Sequence, residues 1–571
     1  MPKGYFTFVL HSHMPYVRQA GRWPFGEEML HEAIAETYLP LLNALFDLRA
    51  EEVPFRLTVG ITPILAEQLA DADVLDHFET FLLDELERAE QDVKRFQEAG
   101  PAGEDSPDVH FLYLARFYVD WYRHLLESFR VRFGRSILGA FRLLQDEGFV
   151  EVITCAATHG YLPLLERDST IYGQLKTGIT SYLRHFGRLP RGIWLPECGY
   201  RPAYYKAEAD WEVLKPGLEE FLAELNLRYT FTETHSIERG RLSGKAAGDV
   251  IGPYGGPPRR KLVVPLEEQQ AAAIERTTFR PYYIQTSSVA VYGRDARTGK
   301  QVWAASEGYP GDYVYREFHR KDDLSGLQYW RVTGEKVELG KKELYDPYHA
   351  LHRAQEHAAH FVEVVREHLR GYYERSGRPG IIVAAYDTEL FGHWWFEGIS
   401  WMKEVLLQLT RDPEVAVTTA GGYLGEYPPE EAIILPEGSW GKAGDHSTWL
   451  NPETEWMWPL VHEAERRMEG LVARFPDAAG ERLEVLKQAA RELLLLQSSD
   501  WPFLVDTGQA VAYATDRFQG HLARFNRLAI LAEKEPLDDD DRVYLQECQH
   551  LDNPFLNMDY RVFAAREGQA G

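Results

Sequence analysis

The chain is poor in cysteine. Cys155, Cys198 and Cys548 are the only three in 571 residues, an odd and scattered set that does not make a disulfide framework. Long apolar runs are missing too. Nothing reaches the roughly 18 consecutive apolar residues that a membrane-spanning helix needs. The first apolar run, Tyr5–Leu10, ends at once in His11, Ser12 and His13, so it is not the core of a secretion signal. The expected location is the cytoplasm. Basic residues are in deficit, with 62 Lys and Arg against 88 Asp and Glu, a net charge of −26. Such a surface repels polyanions and argues against nucleic acid as a partner, while a neutral substrate is unopposed. There is no internal repeat and no low-complexity tract.

What is present is a large store of apolar and aromatic residues. The hydrophobic share of 44% suffices for a sizeable core, and the 14 Trp and 31 Tyr serve equally as core or as sugar-stacking platforms. Short β-rich runs alternate with longer amphipathic stretches. Tyr5–Leu10, Phe55–Gly60, Phe149–Cys155, Gly192–Leu195, Arg228–Thr232, Val289–Tyr292 and Gly380–Ala385 read as strands, with Tyr282–Gln285 and Val415–Thr418 as further short ones. Glu27–Arg49, Tyr172–Phe186, Tyr348–Tyr373 and Phe396–Thr410 read as helices between them. Such alternation implies parallel βαβ units, and about seven strands suit a barrel better than an open sheet. Two helix-like stretches, Val74–Ala99 and Val109–Gln145, have no strand between them and read as an inserted subdomain at about 74–147. The Gly-, Pro- and Arg-rich segment Ser236–Arg260 lacks periodicity and reads as a long loop without regular structure. Beyond about residue 425 the pattern turns helical, with Leu460–Phe475, Gly480–Gln497 and Gly508–Glu535 as long amphipathic stretches. The expected division is 1–425 for the α/β part and 426–571 for a helical domain that contributes to the cleft.

In parallel α/β folds, functional side chains gather at the carboxyl ends of strands. Five clusters meet that filter. His11-Ser12-His13 places two imidazoles on one side of an extended strand, suited to a metal or to sugar hydroxyls. Thr158-His159-Gly160-Tyr161 follows the strand ending near Cys155. Glu197 lies just beyond a strand in Trp194–Tyr200. Asp387 and Glu389 lie at the end of Gly380–Ala385, followed by His393, Trp394 and Trp395. Trp440 and Trp449 flank a Gly-rich polar loop, either as sugar platforms or as glue between domains. Two carboxylates at separate strand ends match the needs of glycosidic-bond chemistry. One attacks the anomeric carbon; the other protonates the leaving oxygen and needs a raised pKa, which Trp394 and Trp395 can supply by desolvation. The residues alone leave Asp387 and Glu389 open for that second role.

Taken together, these clusters resemble glycoside hydrolase family 57, and within it the 1,4-α-glucan branching enzymes. The resemblance is carried by His11–Tyr16, Gly60-Ile61-Thr62-Pro63, His159-Gly160-Tyr161, Trp194–Tyr200, Ala385–Trp395 and Ser439–Asn451. Ser499–Phe503 and Asp552-Asn553-Pro554-Phe555 add the look of the branching-enzyme C-terminal domain. The resemblance implies a distorted (β/α)7 barrel with a helical insertion and a C-terminal α-helical domain. It implies Glu197 as nucleophile and Asp387, rather than Glu389, as general acid/base. His11, His13 and His159 match residues lining the subsite around the scissile bond. Trp303, Trp440 and Trp449 match groove aromatics, and His393 and Asp500 are taken as cleft residues. Tyr254, in Gly252-Pro253-Tyr254-Gly255-Gly256, matches a loop residue associated with transfer over hydrolysis, and Trp23 is a further groove candidate. The implied reaction cleaves an α-1,4 chain and transfers it with retention to a 6-hydroxyl. No metal or cofactor is implied; the partners are α-glucan donor and acceptor, with a monomer or small homo-oligomer left open. The alternatives are a 4-α-glucanotransferase or amylase, which makes no α-1,6 linkages, a metal-dependent deacetylase or mannosidase-like hydrolase using His11, His13 and Asp387, and a non-catalytic glucan-binding protein.

Overall fold

The computed structural model describes residues 2–22, 24–98, 107–207, 212–250, 257–304, 307–534 and 536–566. Its centre is a parallel sheet curled into a barrel. β1 (Gly4–Ser12) is buried along its whole length and pairs in parallel with β2 (Leu57–Ile61), which pairs with β3 (Val150–Ile153). Such near-continuous apolar strands are what burial on both faces demands. Isolated parallel bridges, Thr154 to Ile193 and Gly192 to Tyr229, carry the wall on to β4 (Tyr229–Thr232), which pairs with β5 (Ala290–Gly293). β6 (Gly380–Asp387) lies beside β1 in a register that sets His11 opposite Asp387. The amide of Asp295 donates to Val383 O at 3.0 Å and closes the circle. Six strands and the segment at Gly192–Ile193 therefore make a distorted (β/α)7 barrel. The expected strand Gly192–Leu195 is reduced to two bridges, and Val415–Val417 wedges against the start of β1.

The barrel is clothed by helices such as Pro347–Ser376 and Gly398–Leu409, whose Phe361 and Trp401 meet Phe8 of β1 in the core. Glu27–Ala50 is helical as expected but carries a π-turn at Ile34–Tyr38. Ala72–Glu98 and Pro107–Glu127 pack side by side as the strandless pair. The single helix expected over Val109–Gln145 breaks instead at a turn where Gly134 and Arg135 both have positive φ, and resumes at Ile137–Asp146.

Ser236–Arg260 is not the structureless loop that its sequence suggests. A short helix, Thr234–Arg239, leads into strand Arg241–Val250, which pairs antiparallel with Arg260–Pro265. Most of this ribbon is exposed. Backbone pairing holds it, so no core imposes the alternation by which a strand is recognised. Tyr282–Ile284 is likewise a departure from the all-parallel expectation. It runs antiparallel to β5 and joins Glu431–Ile434 and the ribbon in a side sheet.

After Ile434 the described residues form helices: Met457–Arg474, Gly480–Leu496, Asp500–Thr507, Val511–Glu533 and Asp539–Leu551. The helix expected over Gly508–Glu535 is Val511–Glu533, and a further short helix, Asp500–Thr507, precedes it and ends where Gly508 adopts φ 71°. Leu486, Leu493 and Leu494 share one core with Tyr161 and Ile171 of the barrel side. That shared core seats Asp500–Thr507 over the barrel mouth. Among the described residues no helix is long and apolar enough to cross a membrane.

Candidate active site

The carboxyl ends of the barrel strands open into a cleft of about 560 Å³. β1 supplies His11, the turn just past its end supplies His13, the loop after β3 supplies His159, and β6 supplies Asp387. Glu197 sits on the tight turn Pro196–Cys198. Glu197 and Cys198 both have positive φ, 59° and 50°, and so does His159 at 56°. Non-glycine residues rarely adopt this region, at a cost of about 1–3 kcal/mol each, and tend to do so where function fixes a side chain's aim. The turn is held by Trp440, whose backbone amide donates to Glu197 O at 3.0 Å and whose Nε1–H donates to Glu197 Oε2 at 2.6 Å. The hydroxyl of Ser499 reaches Glu197 Oε1 at 3.2 Å. Cys198 is a buried packing residue beneath the turn.

The carboxylates are in different hands. Glu197 accepts two hydrogen bonds. Glu389 accepts from the hydroxyl of Tyr38 and, at 3.1 Å, from the amide of His13. Among the described residues no hydrogen-bond donor reaches the Asp387 carboxylate, which therefore faces the cleft uncommitted. Burial pushes the Asp387 carboxyl well above the usual range, and Glu389 and Glu197 reinforce the shift. Glu197 and Glu389 are each pushed up to about 7 by burial, partly offset by Trp440 and Tyr38 respectively. Burial holds His11 and His159 well below the ordinary imidazole value, aided by the neighbouring His13. His13 goes the other way: burial opposes its charge, but Asp500, at 3.0 Å from Nε2, raises it above the ordinary value.

Most of the expected residues meet here. His11, His13, His159, Glu197, Trp303, Asp387, Trp440 and Asp500 all line the cleft. Trp449 does not. It is 1% exposed and stacks on Tyr161 with centroids 4.2 Å apart, so it joins the barrel to the helical part and offers no face to a sugar. Its neighbour in function is Trp394, which is 51% exposed and lines the cleft, whereas Trp395 is core. The raised Asp387 pKa comes first from burial and then from the acidic neighbours Glu389 and Glu197. His393 is turned away onto Glu36 at 2.6 Å, which also holds Arg316 at 2.7 Å. That pairing pins the loop after β6 to the π-turn at Ile34–Tyr38. Gly392 permits it: at φ 97° a Cβ there would lie 1.8 Å from Glu36 O. Tyr254 and Trp23 lie outside the described residues. Sequence reasoning missed Tyr38, Glu36, Ser499 and Arg294, a cleft-lining cation that opposes the upward shift of Asp387. Only Ser499 lay in a segment already singled out.

His13, His159 and Asp500 bring ligand-type atoms within 4.8 Å of one another. Hydrogen bonding already accounts for these atoms: His13 Nε2 is on Asp500, and His159 Nε2 is on His11 Nε2 at 3.0 Å. The set His11, His13 and Asp387 does not form such a group among the described residues.

Comparison with known proteins agrees with this geometry. The profile described as Glycosyl hydrolase family 57 matches residues 7–436, and the one described as 1,4-alpha-glucan branching enzyme, C-terminal, matches residues 460–563. The chain is 46% identical to the 1,4-alpha-glucan branching enzyme TK1436 of Thermococcus kodakarensis over 97% of this chain and 77% of that protein. The crystal structure of that enzyme superposes with a TM-score of 0.87 at 44% identity, covering 99% of this chain and 97% of that one. The α-amylase AmyC of Thermotoga maritima superposes with a TM-score of 0.80 at 29% identity, covering 99% and 100%. A barrel with two carboxylates at its strand ends, a matching profile over most of its length and a close relative over nearly all of it lead to one conclusion: the chain belongs to glycosyl hydrolase family 57.

Proposed function

We propose that the protein is a 1,4-α-glucan branching enzyme in which Glu197 is the nucleophile and Asp387 the general acid/base. The observation that carries the reading is the contrast between two buried carboxylates in one cleft. Glu197 is steadied by two donors as an anion must be, and Asp387 is left without donors and pushed toward its protonated form. The match to the branching-enzyme C-terminal profile supports transfer as the outcome.

In the first half-reaction Glu197 attacks the anomeric carbon of an α-1,4 chain, and Asp387 gives its proton to the departing 4-oxygen. In the second, Asp387 takes the proton of an acceptor 6-hydroxyl, which attacks the glycosyl-enzyme and leaves an α-1,6 branch with net retention. Glu389, tied to Tyr38 and to the His13 amide, orients β1 against β6. Trp303 and Trp394 present half-exposed rings as platforms for neighbouring glucosyl units. The substrates are accordingly α-glucan donor and acceptor chains.

A hydrolase on the same scaffold is the second reading, because AmyC resembles the chain over its full length. Linear amylose separates the two. Proton NMR should show new α-1,6 linkages with few new reducing ends, both absent in Glu197→Gln. New reducing ends without α-1,6 linkages would make the protein a hydrolase.

A further inference from the structure

Behind the nucleophile runs a buried line of four polar groups. His11 Nε2 meets His159 Nε2 at 3.0 Å, His159 Nδ1 meets Ser499 Oγ at 2.8 Å, and Ser499 Oγ meets Glu197 Oε1 at 3.2 Å. Both ring nitrogens of His159 are thus engaged within the protein, and none is free for a sugar hydroxyl. Its ring face is taken as well, stacked on His13 with centroids 3.9 Å apart.

Proton counting fixes the sense of the line. Each imidazole is neutral and carries one N–H. If Ser499 donates to an ionised Glu197, its oxygen must accept from His159 Nδ1–H. His159 Nε2 is then bare and accepts from His11 Nε2–H, which leaves His11 Nδ1 a bare acceptor. That last atom is buried without a partner. The opposite sense would make it an orphaned N–H donor, rarer in folded proteins than an orphaned acceptor. It would also turn the Ser499 hydroxyl away from Glu197, an arrangement that suits only a protonated carboxyl.

A second observation is independent of the first. Ser499 immediately precedes helix Asp500–Thr507 but is itself in the helical region, φ −65° and ψ −19°, so its hydroxyl is turned out of the capping position and makes no capping bond. Its hydroxyl is spent on Glu197 and His159 instead, and its backbone amide is held by His159 O at 3.0 Å.

We propose that Ser499 is a positioning residue for the reaction: oriented by His11 and His159, it donates to Glu197 and keeps that carboxylate ionised and aimed. The proposal rests on the reading of Glu197 as nucleophile. It makes the helical part of the chain, through one hydroxyl, a condition for chemistry in the barrel. The titratable and charged groups facing Glu197 are His13 just past β1, Cys155, His159 and Tyr161 after β3, Cys198 on its own turn, Asp387 on β6 and Asp500 beside Ser499. Ser499, like Trp440, is a neutral donor, so its removal changes the anion's stabilisation without adding or removing a charge.

The test is the rate at which 5-fluoro-α-glucosyl fluoride esterifies the full-length protein, followed by mass spectrometry across the pH range. Here the bond from C1 to fluorine breaks, fluoride leaves, and C1 bonds to a carboxylate oxygen. Wild type should carry the ester on Glu197, with a rate that rises with pH as the carboxyl ionises. In Ser499→Ala the rising limb should move up by about one pH unit, with trapping roughly tenfold slower on its acid side. Ser499→Thr, which keeps the hydroxyl, should keep the limb in place. Should Ser499→Ala not fold, His159→Phe withdraws the nitrogen that orients the hydroxyl and should move the limb the same way. A limb that stays put in the deletion variant, with or without a uniform loss of rate, overturns the role of Ser499. An ester found elsewhere in wild type overturns the reading of Glu197 itself.

Discussion

Replacing the proposed nucleophile, Glu197, should make this protein more stable, and only where that carboxylate is charged. Burial pushes the Glu197 carboxyl up from an ordinary 4.5 to about 7 in the folded protein. Between those values the folded state holds more protons than the unfolded one, so stability falls as pH rises through the interval. The cost is absent below the unfolded value and complete above the folded one. A displacement of this size corresponds to roughly 3 kcal/mol at alkaline pH, with each unit worth about 1.4 kcal/mol. Glu197→Gln removes the charge and keeps the shape. The Gln carbonyl can still accept from Trp440, and its amide can donate to Ser499, whose hydroxyl then turns to His159; the imidazole line reverses and leaves His11 Nδ1–H without a partner, as it does when Glu197 is protonated, so that term is common to the variant and to wild type at low pH.

Denaturant unfolding of wild type and Glu197→Gln at about pH 8.5 and about pH 4 isolates the effect, because every other buried acid is common to both proteins. The variant should be inactive. It should be the more stable by up to about 3 kcal/mol at the higher pH, and equal to wild type within about 0.5 kcal/mol at the lower. An equal gap at both pH values would mean that the charge is not what the fold tolerates at a cost. A less stable variant at pH 8.5 would refute the reasoning outright, since the donors from Trp440 and Ser499 would then outweigh burial.

Other consequences are separable. Trp449→Ala should lower stability by about 3–5 kcal/mol, as deletion of a core aromatic does, and leave KM in the surviving folded protein unchanged; denaturant midpoints and initial rates check both. Trp394→Ala should do the reverse, raising KM for long glucans by up to roughly tenfold with kcat and stability nearly held. Trp440→Phe keeps the ring against Trp194, 5.0 Å away, and loses the donor to Glu197 Oε2, so its kcat/KM should fall more at pH 6 than at pH 9, by about tenfold or more on the acid side. Glu465→Ala should destabilise the protein by about 2–4 kcal/mol in thermal or denaturant unfolding, because Glu465 accepts the amides of Glu166 and Arg167 at 2.9 and 2.8 Å across the contact between barrel and helices.

The parts of the site that the sequence made legible share a cause, and so do the parts that it hid. A parallel strand announces itself by an apolar run and ends at a polar residue, so His11, Glu197 and Asp387 could be picked out one by one, and the barrel then had no choice but to bring their ends together. The ribbon Arg241–Val250 was hidden because exposed strands carry no alternation, and Trp449 was ambiguous because a buried and a presented indole are the same letter. The π-turn at Ile34–Tyr38 leaves no periodic signature, yet it aims Tyr38 at Glu389 and Glu36 at His393. The deepest concealment is that of Ser499, which meets Glu197 across 302 residues of chain. Ser499–Phe503 stood out as a segment, but nothing local marks the task of its serine: it precedes a helix, as capping serines do, and only the fold shows its hydroxyl against Glu197 and His159. Strand ends therefore reveal candidate acids and bases, while two of the donors that hold Glu197, Trp440 and Ser499, come from beyond the barrel, where no local pattern encodes the docking. The carboxylates at the mouth of such a barrel can be picked out from sequence before the reason for their pKa values can.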